Sequence, residues 1–298
     1  MKAACRICAG VVVAMMSAAP FAACPPESTT KVALLALKRA EWHVADDATR
    51  RSLALVLLDC LADPDPVLRD EIAFDALAHW MRARQLAPDT LQSMRATLSS
   101  RLRPGAADGA GFLQPFAALA LAEIARVDRL QPFLSAEQRV ELVRTGTGYL
   151  ASVRDYRGFD ASNGWRHGVA HGADLMLQLA LNPAVDRTQI DAILAAIASQ
   201  AMPPGAHFYV YGEGERLMAP VFYIGRRGLL SDDDWSAWFL ALTAKRAKPD
   251  IATQASLADK HNLASFLLPL YASLKENGDA QMQARMLPGV TAAMKTLD

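Results

Sequence analysis

Residues 63–81, DPDPVLRDEIAFDALAHWM, set the pattern that the rest of the chain repeats. The DPDP run ends the preceding helical stretch, because proline cannot continue a helix, and it opens the next one, because proline is tolerated in a first helical turn. After it, apolar residues recur at helical spacing, so the sequence predicts a helix over residues 67–86. The stretch therefore indicates two consecutive helices joined by a tight, acidic turn.

Similar junctions recur along the chain and predict about twelve helices with short connectors. Ser135 and Gln138 are spaced as a capping box at the start of one of them. Ala and Leu, the strongest helix formers, supply much of a composition that is 52% hydrophobic and only 7% aromatic. The helices fall into blocks of about 40 residues, which is typical of HEAT-like or armadillo-like repeats. We therefore expect an all-α fold, a solenoid of helical pairs, with a closed α/α toroid as the alternative.

The N-terminal residues have the pattern of an export signal. Lys2 and Arg6 precede an apolar run too short to cross a bilayer, and small residues follow it. We expect residues 1–23 to be a secretory signal segment and residues 24–298 to form a single all-helical domain, exported to the periplasm. Cys24 ends a lipobox-like stretch and is a candidate lipidation site, which would make the protein lipid-anchored.

Two cysteines, Cys24 and Cys60, remain in the expected mature chain. They can pair in an oxidising compartment unless Cys24 carries a lipid. We favour the simpler interpretation that Cys60, which lies within an apolar helix, is a small buried hydrophobic residue.

The charge balance limits the classes of partner. The chain has 31 basic and 31 acidic residues and no basic stripe, so we expect no nucleic-acid partner. No later segment is long and apolar enough to span a bilayer, so membrane contact is expected only through a lipid anchor at Cys24.

The stretch GWRHGVAHGADL, residues 164–175, carries the densest set of candidate functional side chains. His167, His171 and Asp174 are spaced i, i+4 and i+7, so a helix that begins at residues 163–164 would present all three on one face. We expect these three side chains to face the domain interior. Their other expected neighbours are Asp155, Arg157 and Trp165.

Three interpretations of this stretch stay open. The two histidines can chelate zinc with Asp174 as a third ligand, and a bound water would then be polarised. Alternatively, the polar groups line a metal-free ligand pocket, or they satisfy one another in a structural network. We favour the network, and we expect no cofactor unless zinc binds. Candidates for a further oxygen ligand or a base are Asp155, Glu213 and Glu215.

The structural interpretation assigns roles to neighbouring residues. Gly168 and Gly172 would let another helix approach closely, which offsets their poor helix propensity. Asp155 and Arg157 would form an ion pair that locks the preceding loop onto the helix. The connector HFYVYGEGER, residues 207–216, is also unusual in composition, and connectors on rigid helical scaffolds often carry function.

Five segments occur in an order that resembles a known family. They are LRDEIAFDALAHW, FLQPFAALALAEI, RDYRGFDASNGWRHGVAHGADLMLQLALNP, GEGERLMAPVFY and HNLASFLLPLY. Together they are similar to the uncharacterised bacterial family known as domain of unknown function 2785, over roughly residues 50–275. The most specific part is D-x-R-G followed by G-W-x-H-x-x-x-H-x-x-D. The resemblance implies an all-helical domain and no particular activity.

The sequence leaves the function open, including whether the protein is an enzyme. We expect an exported helical-repeat protein that binds a protein or peptide partner, since solenoids leave an extended face free. The alternative is a metal-dependent hydrolase or a small-ligand-binding protein that uses the face formed by His167, His171 and Asp174.

Overall fold

Helices form nearly all of the regular structure, as the sequence predicts. The computed structural model describes residues 24–27, 29–106, 108–244, 246 and 251–297. The predicted signal segment, residues 1–23, lies outside the described residues. The described part contains twelve α-helices: α1 (Lys31–Arg39), α2 (Asp47–Cys60), α3 (Asp75–Arg82), α4 (Pro88–Arg101), α5 (Leu113–Leu130), α6 (Ala136–Ser152), α7 (Gly168–Ala180), α8 (Arg187–Ala201), α9 (Glu213–Arg227), α10 (Asp232–Ala244), α11 (Gln254–Glu276) and α12 (Ala280–Met294). A π-helix (Val67–Phe74), a two-stranded sheet (β1, Phe159–Asp160; β2, Gly164–Trp165) and a 3₁₀ turn (Lys295–Leu297) complete the described elements.

Side chains at the helix starts explain several of these boundaries. Ser135 and Gln138 form the predicted capping box at the start of α6. Thr30 and Asp46 accept backbone hydrogen bonds as N-caps of α1 and α2. Each cap satisfies an amide that the first helical turn leaves free.

The 63–81 stretch is helical from Val67, as predicted, but its first half is wound as the π-helix, which continues directly into α3. The π-helix holds Arg69, which is fully buried. The Arg69 guanidinium donates to the backbone carbonyls of Asp63 and Asn163 and lies 4.0 Å from the centre of the Phe112 ring. Arg69 thus connects this junction to the start of α5 and to the β1–β2 hairpin.

The helices pack in an alternating pattern. In one layer α5 packs on α7, α7 on α9 and α9 on α11; in the other, α2 packs on α4, α6 on α8 and α10 on α12. Consecutive helices such as α4–α5, α6–α7 and α11–α12 join the layers. This packing confirms the predicted all-α class, while the choice between an open solenoid and a closed toroid stays a prediction.

Gly172 explains the close contact between α6 and α7. A Cβ atom at this position would lie 3.0 Å from Leu150 Cδ1 and 3.3 Å from Tyr149 Cε1, both on α6. The predicted role of this glycine, close approach of a neighbouring helix, agrees with that geometry.

The start of α7 differs from the expectation. The sequence predicted a helix from residues 163–164, but Gly164 and Trp165 form β2, which pairs with Phe159 and Asp160 of β1. His167 is the N-cap residue in a left-handed conformation, with φ of 57°, so the helix begins at Gly168. Trp165 therefore lies in a hairpin, and His167 does not share a regular helical face with His171.

The two described cysteines also correct an expectation. Cys24 and Cys60 form a disulfide, so Cys60 is not the isolated buried thiol that we favoured from the sequence. The segment before α1 returns to the C-terminal end of α2 and brings the two Cα atoms within 5.2 Å, a separation that a disulfide can span. A sulfur bonded in this way cannot also carry the lipid considered for Cys24.

Within the ranges described, no helix combines the length and the hydropathy of a membrane span.

Candidate functional site

The predicted residues gather around the β1–β2 hairpin, the start of α7 and the start of α9. His167 lies at the centre of this region. Its ring stacks on Trp165 with centroids 4.8 Å apart, and it lies 5.7 Å from the His171 ring, centroid to centroid. Its Nε2 atom lies 3.8 Å from a carboxylate oxygen of Glu213, which is beyond hydrogen-bond distance.

The environment keeps His167 neutral. Burial lowers its pKa to about 4, the positive charge of Arg216 acts in the same direction, and the backbone of Tyr211 opposes both. The buried Nε2 atom has no hydrogen-bond partner among the described residues. His167 therefore presents a neutral imidazole nitrogen toward Glu213.

His171 is more deeply buried, with 6% of its surface exposed. Burial, followed by the charges of His167 and Arg216, lowers its pKa to about 3, although the backbone of Pro115 favours the protonated form. Its ring meets the Phe116 ring edge to face, at 5.1 Å between centroids. The Nδ1 atom, like His167 Nε2, has no partner in the described part of the chain.

Asp174 is engaged by a residue that the sequence did not single out. Both of its carboxylate oxygens accept hydrogen bonds from Arg216, at 2.8 and 2.5 Å. Burial raises the pKa of Asp174, while Arg216 acts against that increase. A carboxylate held in this two-point ion pair serves as the counter-ion of Arg216.

The two predicted glutamates have different surroundings. Glu213 is buried, and it accepts a hydrogen bond of 2.9 Å from the backbone amide of Tyr211. Glu215 is exposed. Of the two, only Glu213 lies beside the histidines.

Asp155 and Arg157 form the predicted ion pair, with a shortest distance of 2.5 Å, in a half-exposed setting. Arg157 also donates to the carbonyl of Ala110, in the loop that precedes α5. Arg166, which the sequence did not single out, donates to the same carbonyl and to the carboxylate of Asp160. The Asp155–Arg157 pair therefore connects the segment before the hairpin to the α4–α5 loop. From the sequence we expected this pair to lock the loop onto α7 instead.

Aromatic side chains from the hairpin and the 207–216 connector form an exposed cluster. Phe159 contacts Trp165 at 5.1 Å, and Trp165 contacts Tyr211 at 5.6 Å, between ring centroids. Phe159, Trp165 and Tyr211 keep 46%, 38% and 40% of their surfaces exposed, and neighbouring Val210 keeps 65%. We call these four residues the aromatic surface.

Two contacts with the hairpin region position Tyr211 in the aromatic surface. The Tyr211 hydroxyl donates to the carbonyl of Phe159 at 3.2 Å. Gly158 lies directly under the Tyr211 ring, so closely that a Cβ atom there would overlap it. The sequence pointed to Trp165 and to the connector as separate features, and their pairing depends on tertiary contacts.

These contacts define what the site can do. The histidines are neutral, and each has one ring nitrogen without a hydrogen-bond partner among the described residues. The carboxylate of Asp174 is occupied by Arg216. Among the described residues, no three His, Cys, Asp or Glu side chains are grouped so that they could hold a metal ion. Zinc binding stays a prediction.

Comparisons with known proteins identify one family. The family described as "Protein of unknown function (DUF2785)" matches residues 98–272, which include the whole of this site. No curated protein and no solved structure matches the chain.

Proposed function

The chain belongs to the DUF2785 family of proteins of unknown function, and we propose that it is an exported helical scaffold that binds a protein or peptide partner. The observation that carries this proposal is the aromatic surface, in which Trp165 contacts the rings of both Phe159 and Tyr211 and all three side chains remain exposed. Tyr and Trp are the side chains that most often supply binding energy at protein interfaces.

Export to the periplasm is supported by two features. The Cys24–Cys60 disulfide belongs in an oxidising compartment, since cytosolic thiols are kept reduced. Residues 1–23 have the pattern of a secretory signal. We propose a protein without a lipid on Cys24, because the disulfide uses that sulfur.

The scaffold is proposed to be an open solenoid. In the described part of the chain, α1–α4 make no extensive contact with α10–α12, which supports an open arrangement over a ring. Each helical pair then packs on its neighbours, and the connectors remain free to bind. The aromatic surface is built from two such connectors.

Site-specific cross-linking in the periplasm tests partner binding. Benzoylphenylalanine in place of Phe159, a close structural match, should give a protein adduct under light. The same group in place of Leu240, an exposed apolar residue on α10 that is 69% exposed, serves as the control. Adding Trp165→Ala should reduce the Phe159 adduct about tenfold, as expected for the loss of a binding hot spot. No adduct at Phe159, or equal adducts at both positions, contradicts the proposal.

A second candidate function is binding of a small ligand beside the histidines. It is favoured by one observation, the two buried imidazole nitrogens of His167 and His171 without partners. A bound ligand that donates hydrogen bonds, or a zinc ion, would satisfy them. Native mass spectrometry and elemental analysis of the purified protein test this candidate. A bound ligand or zinc that is found in the wild type and is absent from a His167→Ala/His171→Ala variant would support this function. A wild type that carries neither argues against it.

A further inference from the structure

A recess lies at the C-terminal end of α5, and the aromatic surface lies near the other end of this helix. The hairpin contacts the start of α5, whereas this recess lies where α5 and α3 end. Helix α5 has 18 residues and is therefore about 27 Å long, so the two regions are well separated. We call the recess the arginine groove and define it by Met81, Arg84, Leu86, Arg126, Val127 and Phe133.

The larger part of the groove is apolar. It is a cavity of about 390 Å³, and most of the side chains that line it are apolar. Met81 and Leu86 are buried in its wall, while Val127 and Phe133 are half-buried. The volume lies in the range of small-molecule sites, which are usually apolar with a few polar groups that orient the ligand.

The adjoining part of the groove is cationic. A recess of about 80 Å³ shares Met81, Arg84, Val127 and Gln131 with the larger cavity and also contains Arg126. Arg84 is exposed and Arg126 is half-buried. Among the described residues neither guanidinium forms an ion pair or hydrogen bond, whereas Arg82, which also lines the small recess, is paired with Glu123. The nearby acid Asp47, which lines the larger cavity, is paired with Arg50. Two free cations therefore lie beside an apolar cavity.

The backbone of Arg84 has the conformation of a helix C-terminal cap. The Gln85 amide donates to the Trp80 carbonyl, and the Arg84 amide donates to the Met81 carbonyl. This is the Schellman ending of a helix, in which the residue in the position of Arg84 has a positive φ and is usually glycine. Arg84 has φ of 59°. Glu41, at the end of α1, has the same pattern of hydrogen bonds and a φ of 53°, so this conformation is a helix ending, which glycine would adopt with less strain.

We propose that the arginine groove binds a small anionic amphiphile, a carboxylate on an apolar chain. The carboxylate would pair with Arg84 and Arg126, because guanidinium groups match carboxylates with paired hydrogen bonds. The chain would lie in the larger cavity against Met81, Leu86 and Phe133. This site is independent of partner binding at the aromatic surface.

Calorimetry with decanoate, below its micelle concentration, tests the proposal. Arg84→Gly and Arg126→Gln should each weaken decanoate binding about tenfold, the effect of losing one charge-assisted hydrogen bond. Arg144→Gln, at an exposed position on α6 outside the groove, should leave binding unchanged. Decyltrimethylammonium, with a matched chain and the opposite charge, should bind more weakly than decanoate, and so should acetate, which lacks the chain.

Arg84→Gly also separates binding from folding. Glycine relieves the positive-φ strain, so the variant should melt at the same temperature as the wild type or higher while it loses decanoate affinity. Absence of decanoate binding to the wild type overturns the proposal. Equal affinities in wild type, Arg84→Gly and Arg126→Gln, or equal binding of the cationic amphiphile, also overturn it.

Discussion

Arg216 of α9 holds both carboxylate oxygens of Asp174 on α7, at 2.8 and 2.5 Å. The pair joins two helices that pack directly on each other. Asp174 retains 20% side-chain exposure and Arg216 47%, so the carboxylate is the more buried partner. The charged form of the Asp174 carboxylate is therefore stabilised by the Arg216 guanidinium.

Removing that guanidinium should destabilise the fold. In Arg216→Ala the carboxylate of Asp174 loses its counter-ion, and we expect the free energy of unfolding at pH 7 to fall by about 1–2 kcal/mol. The loss is smaller than for a fully buried pair because Arg216 is half-exposed. Urea unfolding measures it, and Glu215→Ala, at a neighbouring exposed position, is the control with little effect. If Arg216→Ala costs as much in an Asp174→Asn background, the ion pair is not the cause.

The two buried histidines should make the fold sensitive to mild acid. Their folded-state pKa values of about 4 and about 3 lie below the ordinary value of 6.5. Below pH 6.5 the two histidines therefore bind protons in the unfolded chain but remain unprotonated in the folded protein. The free energy of unfolding should fall with pH from 6.5 to about 4 for His167 and to about 3 for His171, by at most about 1.4 kcal/mol per pH unit for each histidine.

Replacing one histidine measures how much it contributes to the pH dependence of the free energy of unfolding. His171→Phe keeps an aromatic ring against Phe116, and the variant should lose stability less steeply than wild type between pH 6.5 and 4.5. Urea midpoints across this range give the comparison, and His43→Gln, at an exposed position, is the control. Parallel curves for wild type and His171→Phe would show that His171 is not buried as a neutral ring.

The sequence predicted those features of the fold that local rules decide. Apolar spacing and caps such as Ser135–Gln138 predicted the helices, because each depends on residues a few positions apart. The start of α7 escaped prediction because the strand pair between Phe159 and Trp165 and the left-handed conformation of His167 depend on the folded hairpin. Local propensity does not report such tertiary contacts.

Some residues of the candidate site were singled out from the sequence, but Arg166, Arg216 and the contacts among the residues were not. His167, His171 and Asp174 stood out by their spacing. Arg216 follows Asp174 by 42 positions and gave no signal beyond its place in the unusual 207–216 connector. Cys24 and Cys60 are 36 positions apart, so their pairing likewise required the three-dimensional structure.

The Cys24–Cys60 disulfide should stabilise the protein. It closes a loop of 36 positions, for which chain entropy predicts a stabilisation of about 3–4 kcal/mol. Dithiothreitol should lower the melting temperature of wild type and leave that of a Cys24→Ser/Cys60→Ser variant unchanged. Intact mass spectrometry of protein from the periplasm should show the mature chain without a lipid. A lipid on Cys24, or free thiols at both positions, would contradict the disulfide and with it one support for export.

Gly158 should determine the position of Tyr211 in the aromatic surface, and its replacement should have little effect on the fold. In Gly158→Ala the new methyl group overlaps the Tyr211 ring. Because Tyr211 is 40% exposed, it can swing outward, and its hydrogen bond to Phe159 is then lost. That loss costs about 1 kcal/mol, and the reduced entropy of the unfolded chain offsets part of it.

The tryptophan emission should change as Tyr211 leaves Trp165, and this change should be absent in a Trp165→Phe background. Cross-linking through benzoylphenylalanine at position 159 should also decrease. Gly148→Ala, on α6 with open space around its Cβ position, is the matched control and should keep both readouts. A Gly158→Ala protein with unchanged emission and undiminished cross-linking would show that the packing of Tyr211 on Gly158 does not shape the binding surface.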